Sequence, residues 1–220
     1  GIEWLNYLKA QRQLSDYECE WLGRFYLQVS KYIEAKETLS SLLLRNPNNQ
    51  GYLCLLSTAV RIIDKSEYYR LFFRKELVQR LTPLSNELHD LLSLNKSVVE
   101  IANGFHNIER QPLKQSVVSG TQTRFNIFNL DNGNIQELKR RIIRRVDIFL
   151  ASLQRDDKHP TLKFVGRPWK IHSAWSVRLE KGGNHKNHYH SNGWFSAVYY
   201  LDIPEFNNDE GALTCLLYTS

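Results

Sequence analysis

The sequence predicts an α+β protein, with helical hairpins first and a β-rich part last. Apolar residues recur at helical spacing over 17–49, and a second stretch of similar length and spacing follows over 51–83. After Gln154 the chain changes character to segments that alternate like strands. Helices grouped ahead of strands, rather than interleaved with them, point to α+β and away from a parallel α/β fold.

In "YECEWLGRFYLQVSKYIEAKETLSSLLLRNPNN" (17–49), Leu22, Gly23, Tyr26, Tyr32, Ala35, Leu39, Leu42 and Pro47 stand at the spacing of a tetratricopeptide repeat. The small residues Gly23 and Ala35 let two antiparallel helices approach closely, larger residues fill the groove between them, and Pro47 stops the second helix. The stretch 51–83 lacks the small residues and ends in Thr82-Pro83, so it reads as a degenerate repeat or capping pair. Residues 1–83 are therefore expected to be tetratricopeptide-like helical repeats, a surface for packing or for a protein partner. Such repeats bury their faces on neighbours, and the chain contains no methionine, so further repeats are expected ahead of Gly1.

Residues 84–134 form a connecting region. "LSNELHDLLSL" (84–94) predicts one short helix, "SVVSGTQTRFNIF" (116–128) a β segment with a Gly-Thr turn, and "NLDNGN" (129–134) a turn in which Asn134 caps the next helix. That helix is expected to reach about Gln154. Its apolar positions Ile135, Leu138, Ile142, Val146, Phe149 and Leu153 make one face, which leaves the arginines of "LKRRIIRR" (138–145) on a solvated face. "RDDKHP" breaks the pattern. Strands are then expected over 170–180 and 193–204, separated by a Gly182-Gly183 turn.

Composition excludes several classes. At 42% hydrophobic and 24% charged, the 220 residues match an ordinary globular protein, and 12% aromatic content argues against disorder. No apolar run is long enough to span a bilayer, and the start shows no secretory signal. Three widely spaced cysteines (Cys19, Cys54, Cys215) give no disulfide framework, so a cytoplasmic location is expected. The net charge of +6 comes with no nucleic-acid motif, so no nucleic-acid partner and no membrane are expected. There is no GxSxG and no Walker-type glycine loop.

The residues that carry chemistry are in "NHKNHYHSNGW" (184–194), with His185, His188 and His190 in six positions. Neutral imidazole suits iron, zinc and copper, and two histidines at i and i+2 on a strand share a face. His188 and His190 have that spacing, while His185 stands three residues ahead of His188. The competing reading is a polar turn with solvated histidines. On the next expected strand, alternation puts Trp194, Ser196, Val198 and Tyr200 on one face and Phe195, Ala197 and Tyr199 on the other. Tyr200 is a core residue or a residue of the site, and Arg178 is read as structural.

The stretch "SAWSVRLEKGGNHKNHYHSNGWFSAVYYLDIP" (173–204) resembles the start of the core domain of 2-oxoglutarate/Fe(II)-dependent oxygenases, in a bacterial group fused to tetratricopeptide repeats. "SGTQT" (119–123) resembles that group's entry segment. The resemblance implies a double-stranded β-helix (jelly roll), incomplete in this chain, over residues 135–214. It implies Fe(II) as cofactor, 2-oxoglutarate and O₂ as cosubstrates, and hydroxylation of a substrate C–H bond coupled to oxidative decarboxylation of 2-oxoglutarate. His188 takes the first ligand position and His190 the second, where most relatives have Asp or Glu. His185 becomes a hydrogen-bond partner behind the ligands or a residue at the site's entrance, and Tyr200 a pocket residue. The distal histidine and the basic residue that pairs with 2-oxoglutarate are expected beyond residue 214. The final "CLLYTS" (215–220) equals one translation frame of a transposon-library adapter, so the chain is expected to be a fragment, inactive by itself. Two alternatives remain: a repeat scaffold with a non-catalytic β domain, and a cupin-type metalloprotein, whose expected glutamate is absent from 193–197.

Overall fold

The computed structural model describes residues 1–81, 88–106, 116–190 and 192–203. Its contacts divide the chain into two units. The first comprises Gly1–Val78, Asp156–Lys163 and Tyr189–Ser196, and the second Gln79–Arg155, Phe164–His188 and the described part of Ala197–Ser220.

Five helices build the first unit: α1 (Ile2–Gln11), α2 (Asp16–Gln28), α3 (Tyr32–Arg45), α4 (Gln50–Ile63) and α5 (Lys65–Leu71). Ser15 starts α2 through a capping box, its hydroxyl accepting from the Glu18 amide at 3.3 Å while Glu18 Oε2 accepts from the Ser15 amide at 2.9 Å. Arg12 grips the same carboxylate with two bonds, 2.6 and 3.0 Å. Those Arg12 bonds, followed by the Ser15 ones, hold the Glu18 pKa down at about 2. At the far end of the hairpin, the Asp16 carboxylate accepts from Arg45 Nε at 2.9 Å and from Asn46 Nδ2 at 2.7 Å, which ties the end of α3 to the start of α2.

The close approach expected of α2 and α3 is present. Gly23, Ala35 and Leu39 are all buried, and a Cβ on Gly23 would meet Leu39 Cδ2 at 2.8 Å and Cγ at 2.9 Å. Leu5, Leu14, Leu22, Tyr26, Leu55 and Ala59 complete this core. Asn49 and Asp64 cap α4 and α5. Here the second hairpin departs from expectation: α5 stops at Leu71, and a 3₁₀ turn at Lys75–Leu77 replaces a helix running towards Thr82-Pro83. Lys36 of α3 pairs with Glu67 of α5. His159, buried, accepts at Nδ1 from the amides of Thr161 and Leu162, both at 3.1 Å, and so opens a 3₁₀ turn.

The second unit packs α6 (Leu88–Asn103) on α7 (Gly133–Ala151), with Leu91, Leu94, Val98, Ala102, Ile127, Ile135 and Leu138 as its core. The helix expected at 84–94 thus extends nine residues further, to Asn103, because Val98 and Ala102 continue the apolar stripe; its proposed start lies partly outside the described residues. The cap of α7 is Asn132 rather than Asn134: its Oδ1 accepts from the amides of Asn134 and Ile135. The arginine face is only partly solvated. Arg140 and Arg144 are exposed, whereas Arg141 and Arg145 are half-buried, and Glu137 pairs with both Arg140 and Arg141.

Two strands, β1 (Val117–Gln122) and β2 (Val177–His185), pair antiparallel. Val117 lies opposite His185 and Val118 opposite Asn184; the register then jumps, with Gly120 opposite Leu179 and Gln122 opposite Val177. Residues 180–183 are accommodated at that irregularity, with Ser119 at φ 48° and Gly182 at φ 75°. A Cβ on Gly183 would meet the Ser119 carbonyl oxygen at 2.3 Å, and one on Gly120 the Arg178 carbonyl oxygen at 2.6 Å. The glycine pair is therefore inside a bulged strand and does not form the turn expected of it. Neither does the Gly120-Thr121 pair, which continues β1.

Behind the strands, buried His106 bridges them to α6. Its Nδ1 is 2.8 Å from Thr121 Oγ1 and its Nε2 is 3.0 Å from Ser176 Oγ.

Among the described residues, this pair is the only sheet, so the jelly roll is not shown there. The strand expected over 193–204 is absent from 194–203, and Phe195, Val198, Tyr199 and Tyr200 are exposed. A β-prone segment becomes a strand only when a neighbour supplies ladder hydrogen bonds, and no described residue does so here. No helix is long and apolar enough to cross a membrane among the described residues. Cys19 and Cys54 form no disulfide.

Two outcomes follow from this packing. Gly23→Val should lower stability by about 2 kcal/mol in chemical denaturation, since the added methyls meet buried Leu39. Burial first, then nearby Arg178 for His106 and Arg74 for His159, holds both histidines below their ordinary pKa of 6.5. The unfolded chain then takes up these protons first. The associated stability is complete above pH 6.5 and is lost as the pH falls from there through the lowered folded values. Thermal midpoints should decline over that range, less steeply in His106→Gln.

Candidate metal centre

The three histidines do not sit where strand alternation would put them. β2 ends at His185, and residues 186–190 follow an irregular path beyond it. His185 is thus the one histidine on a strand, and the i, i+2 spacing of His188 and His190 falls on non-strand backbone. His188 is the last residue of its stretch of the second unit, and His190 belongs to the 189–196 stretch of the first. All three are exposed.

The hydrogen bonds around His188 define its chemistry. Nδ1 is 2.8 Å from the Lys186 carbonyl oxygen. A carbonyl can only accept, so Nδ1 carries a proton, and in the neutral form of the ring the lone pair is on Nε2. This is the arrangement that orients a metal-binding imidazole: one ring nitrogen donates to an oxygen behind it, and the other is directed at the ion. The Lys186 peptide is held in turn, its amide donating to the Ser116 carbonyl oxygen at 2.7 Å just ahead of β1.

His185 is fixed from the same place. Its Nδ1 lies 2.9 Å from Ser116 Oγ, and its ring lies 5.6 Å from that of His188 with the planes 31° apart. Desolvation by the atoms around the ring first, and the neighbouring His188 second, push the His185 pKa below 6.5, which favours the neutral imidazole. Ser116 therefore supports both rings, through its hydroxyl and its carbonyl. Nothing in the sequence signals this, because Ser116 and His185 are 69 positions apart.

Tyr200 is exposed in the irregular stretch after residue 196, and its neighbour Tyr199 donates to Asn95 Oδ1 at 2.8 Å. Trp194 is half-buried, its indole N–H donating to the Thr161 carbonyl at 3.0 Å. Arg178 points one guanidinium nitrogen towards Asn103 Oδ1 at 3.5 Å. Tyr189, between the two proposed ligands, makes a contact that sequence reasoning missed: its hydroxyl accepts from Arg24 of α2.

Residues 173–215 match an oxygenase family. The description of that family model is "Putative 2OG-Fe(II) oxygenase", and the matched stretch contains all three histidines. It supports the dioxygenase class for this part of the chain and, as a family property, Fe(II) and 2-oxoglutarate. No curated protein and no solved structure matches the chain.

The donor set fits such a metal in part. Imidazole nitrogen is a suitable ligand for ferrous iron, and the His188 ring is in the required tautomer. Among the described residues, no group of three or more His, Cys, Asp or Glu side chains converges as a complete site.

The strand bulge is what places Ser116 against His185 and Lys186. Gly183→Ala would drive a methyl into the Ser119 carbonyl, where only backbone could yield. Hydrogen exchange of the paired amides of β1 and β2 should accelerate at least tenfold in this variant, while the amides of α2 and α3 keep their protection.

Proposed function

We propose that the chain carries the metal-ligand segment of an Fe(II)/2-oxoglutarate-dependent oxygenase, joined to N-terminal helical hairpins of tetratricopeptide type. The family match over residues 173–215 carries this reading, and the tautomer of His188 supports it.

In this reading His188 and His190 hold the metal through ring nitrogens, and the Lys186 carbonyl, by taking the Nδ1 proton's hydrogen bond, leaves Nε2 of the neutral His188 ring as the ligand atom. His185 stands beside His188 with its pKa held below the ordinary value by desolvation and by its neighbour. Two neutral imidazoles leave the ion with more net positive charge than the histidine–carboxylate pair of most relatives, which strengthens its hold on an anionic cosubstrate. When bound, Fe(II) with 2-oxoglutarate and O₂ supplies the oxidation of a substrate C–H bond to an alcohol, with release of succinate and CO₂. The helical hairpins of residues 1–83 present a protein partner or protein substrate. A pure scaffold differs in one respect: its partner binding is indifferent to His188.

Anaerobic titration with Fe(II) tests this. The wild-type chain should bind one equivalent, and His188→Ala should weaken binding by more than the roughly 10–100-fold that loss of a merely supporting residue costs. A wild-type chain that takes up no Fe(II), or a His188→Ala variant that binds equally well, would overturn the proposal in favour of the scaffold.

A further inference from the structure

We propose that the cavity between α1, α2 and α3 receives small acidic peptide disulfides and that Cys19 binds them covalently, as a mixed disulfide. The site lies wholly within the first unit and is independent of the histidine cluster.

The cavity holds about 440 Å³, which falls among small-molecule sites of about 300–1,000 Å³. Buried Leu14 and Leu22 supply apolar lining. Thr38 of α3 lines it too. This residue is 9% exposed, and its hydroxyl oxygen is buried with no hydrogen-bond partner. A helical threonine commonly bonds the carbonyl one turn back, and Thr38 does not. A buried hydroxyl left unpaired is destabilising, so a polar ligand that pairs with it gains that free energy back.

Cys19 is the reactive group of the wall. It is half-buried and forms no disulfide. Its thiol donates to the Leu14 carbonyl at 3.9 Å, and its sulfur accepts from Arg45 Nη2 at 3.4 Å. The thiolate is the attacking species in disulfide exchange, and at this position it keeps a charged donor beside it. Cys54 of α4 is half-buried as well, but it does not line the cavity.

The remaining lining selects the class of ligand. Lys9, Arg12 and Arg45 stand against one carboxylate, Glu37. Arg12 and Arg45 already pair with Glu18 and Asp16. Lys9 is exposed and pairs with no described carboxylate, so it is the cation open to an acidic ligand. The last turn of α1 adds Ala10 and Gln11, where carbonyls lack helical partners and accept N–H donors. Carboxylates together with N–H groups are the chemistry of a short acidic peptide, and Cys19 adds the need for a sulfur–sulfur bond.

In the reaction the Cys19 thiolate attacks one sulfur of the incoming disulfide. A bond forms from Sγ to that half, and the original S–S bond breaks. The other half leaves as a thiolate and takes up the proton lost from Cys19. Cys19 is oxidised and the departing sulfur is reduced, so the incoming disulfide is the only oxidant the step requires.

The test treats the whole 220-residue chain with oxidised glutathione and locates adducts by peptide mass mapping. An uncharged disulfide, bis(2-hydroxyethyl) disulfide, is the reference. Cys19 should react with oxidised glutathione roughly tenfold faster than Cys54, and the preference should vanish in denaturant. Lys9→Glu should slow the glutathione reaction about threefold, the scale of an exposed ion pair, and leave the uncharged reaction unchanged. Thr38→Val should slow it about fivefold, the worth of one hydrogen bond.

No adduct at Cys19, or equal rates at Cys19 and Cys54 in the folded chain, would overturn the proposal. Unchanged glutathione rates in both variants would do the same, since they would leave a reactive thiol without a site around it. If Thr38→Val fails to fold, Lys9→Glu decides alone, because the Lys9 side chain is exposed.

Discussion

Gly183 lies against the Ser119 carbonyl with no room for a side chain, and this close approach lets β1 and β2 stay paired across a break in register. Much of the second unit follows from that pairing. It aligns Val117 with His185, places the Lys186 amide under the Ser116 carbonyl, and leaves the Lys186 carbonyl as the acceptor that sets the His188 tautomer. At the opposite end it brings Thr121 and Ser176 to either side of His106, which fastens the strands to α6. Two strands alone are marginal in water, so the helix contact is as necessary to the pair as the ladder itself.

The helices were legible in the sequence, and the strands only partly. Helical period is a local property: Leu22, Tyr26, Leu39 and Leu42 declare a buried face without reference to anything outside the hairpin. Gly23 and Ala35 were informative for the same reason, as small residues in apolar surroundings have few explanations besides close packing. Helix ends were less clear, because Asn132 and Asn134 are both good caps and only geometry separates them. Strands depend on a partner far away in sequence. The alternation of 193–204 resembles that of a real strand, yet no described neighbour offers it a ladder, while the poorly alternating "VRLEKGGNH" is a strand because β1 lies beside it.

The candidate site shows the same division. The spacing of His188 and His190, and the family match around them, are properties of a short stretch and could be read directly. What sets the rings could not be. Ser116 is an unremarkable serine until pairing brings it to His185 and to the Lys186 amide. Residue identity names candidate ligands; the non-local hydrogen bonds decide which of them are oriented.

The acceptor behind His188 is a peptide carbonyl, not a carboxylate. A carbonyl has no proton to gain in the acid range and no charge for salt to screen. The orientation of this ring is therefore insulated from the two solution variables that most often loosen a histidine held by an acid. It is governed instead by whatever moves the backbone at Lys186, so mechanical displacement of the strand end becomes the natural control over this ring.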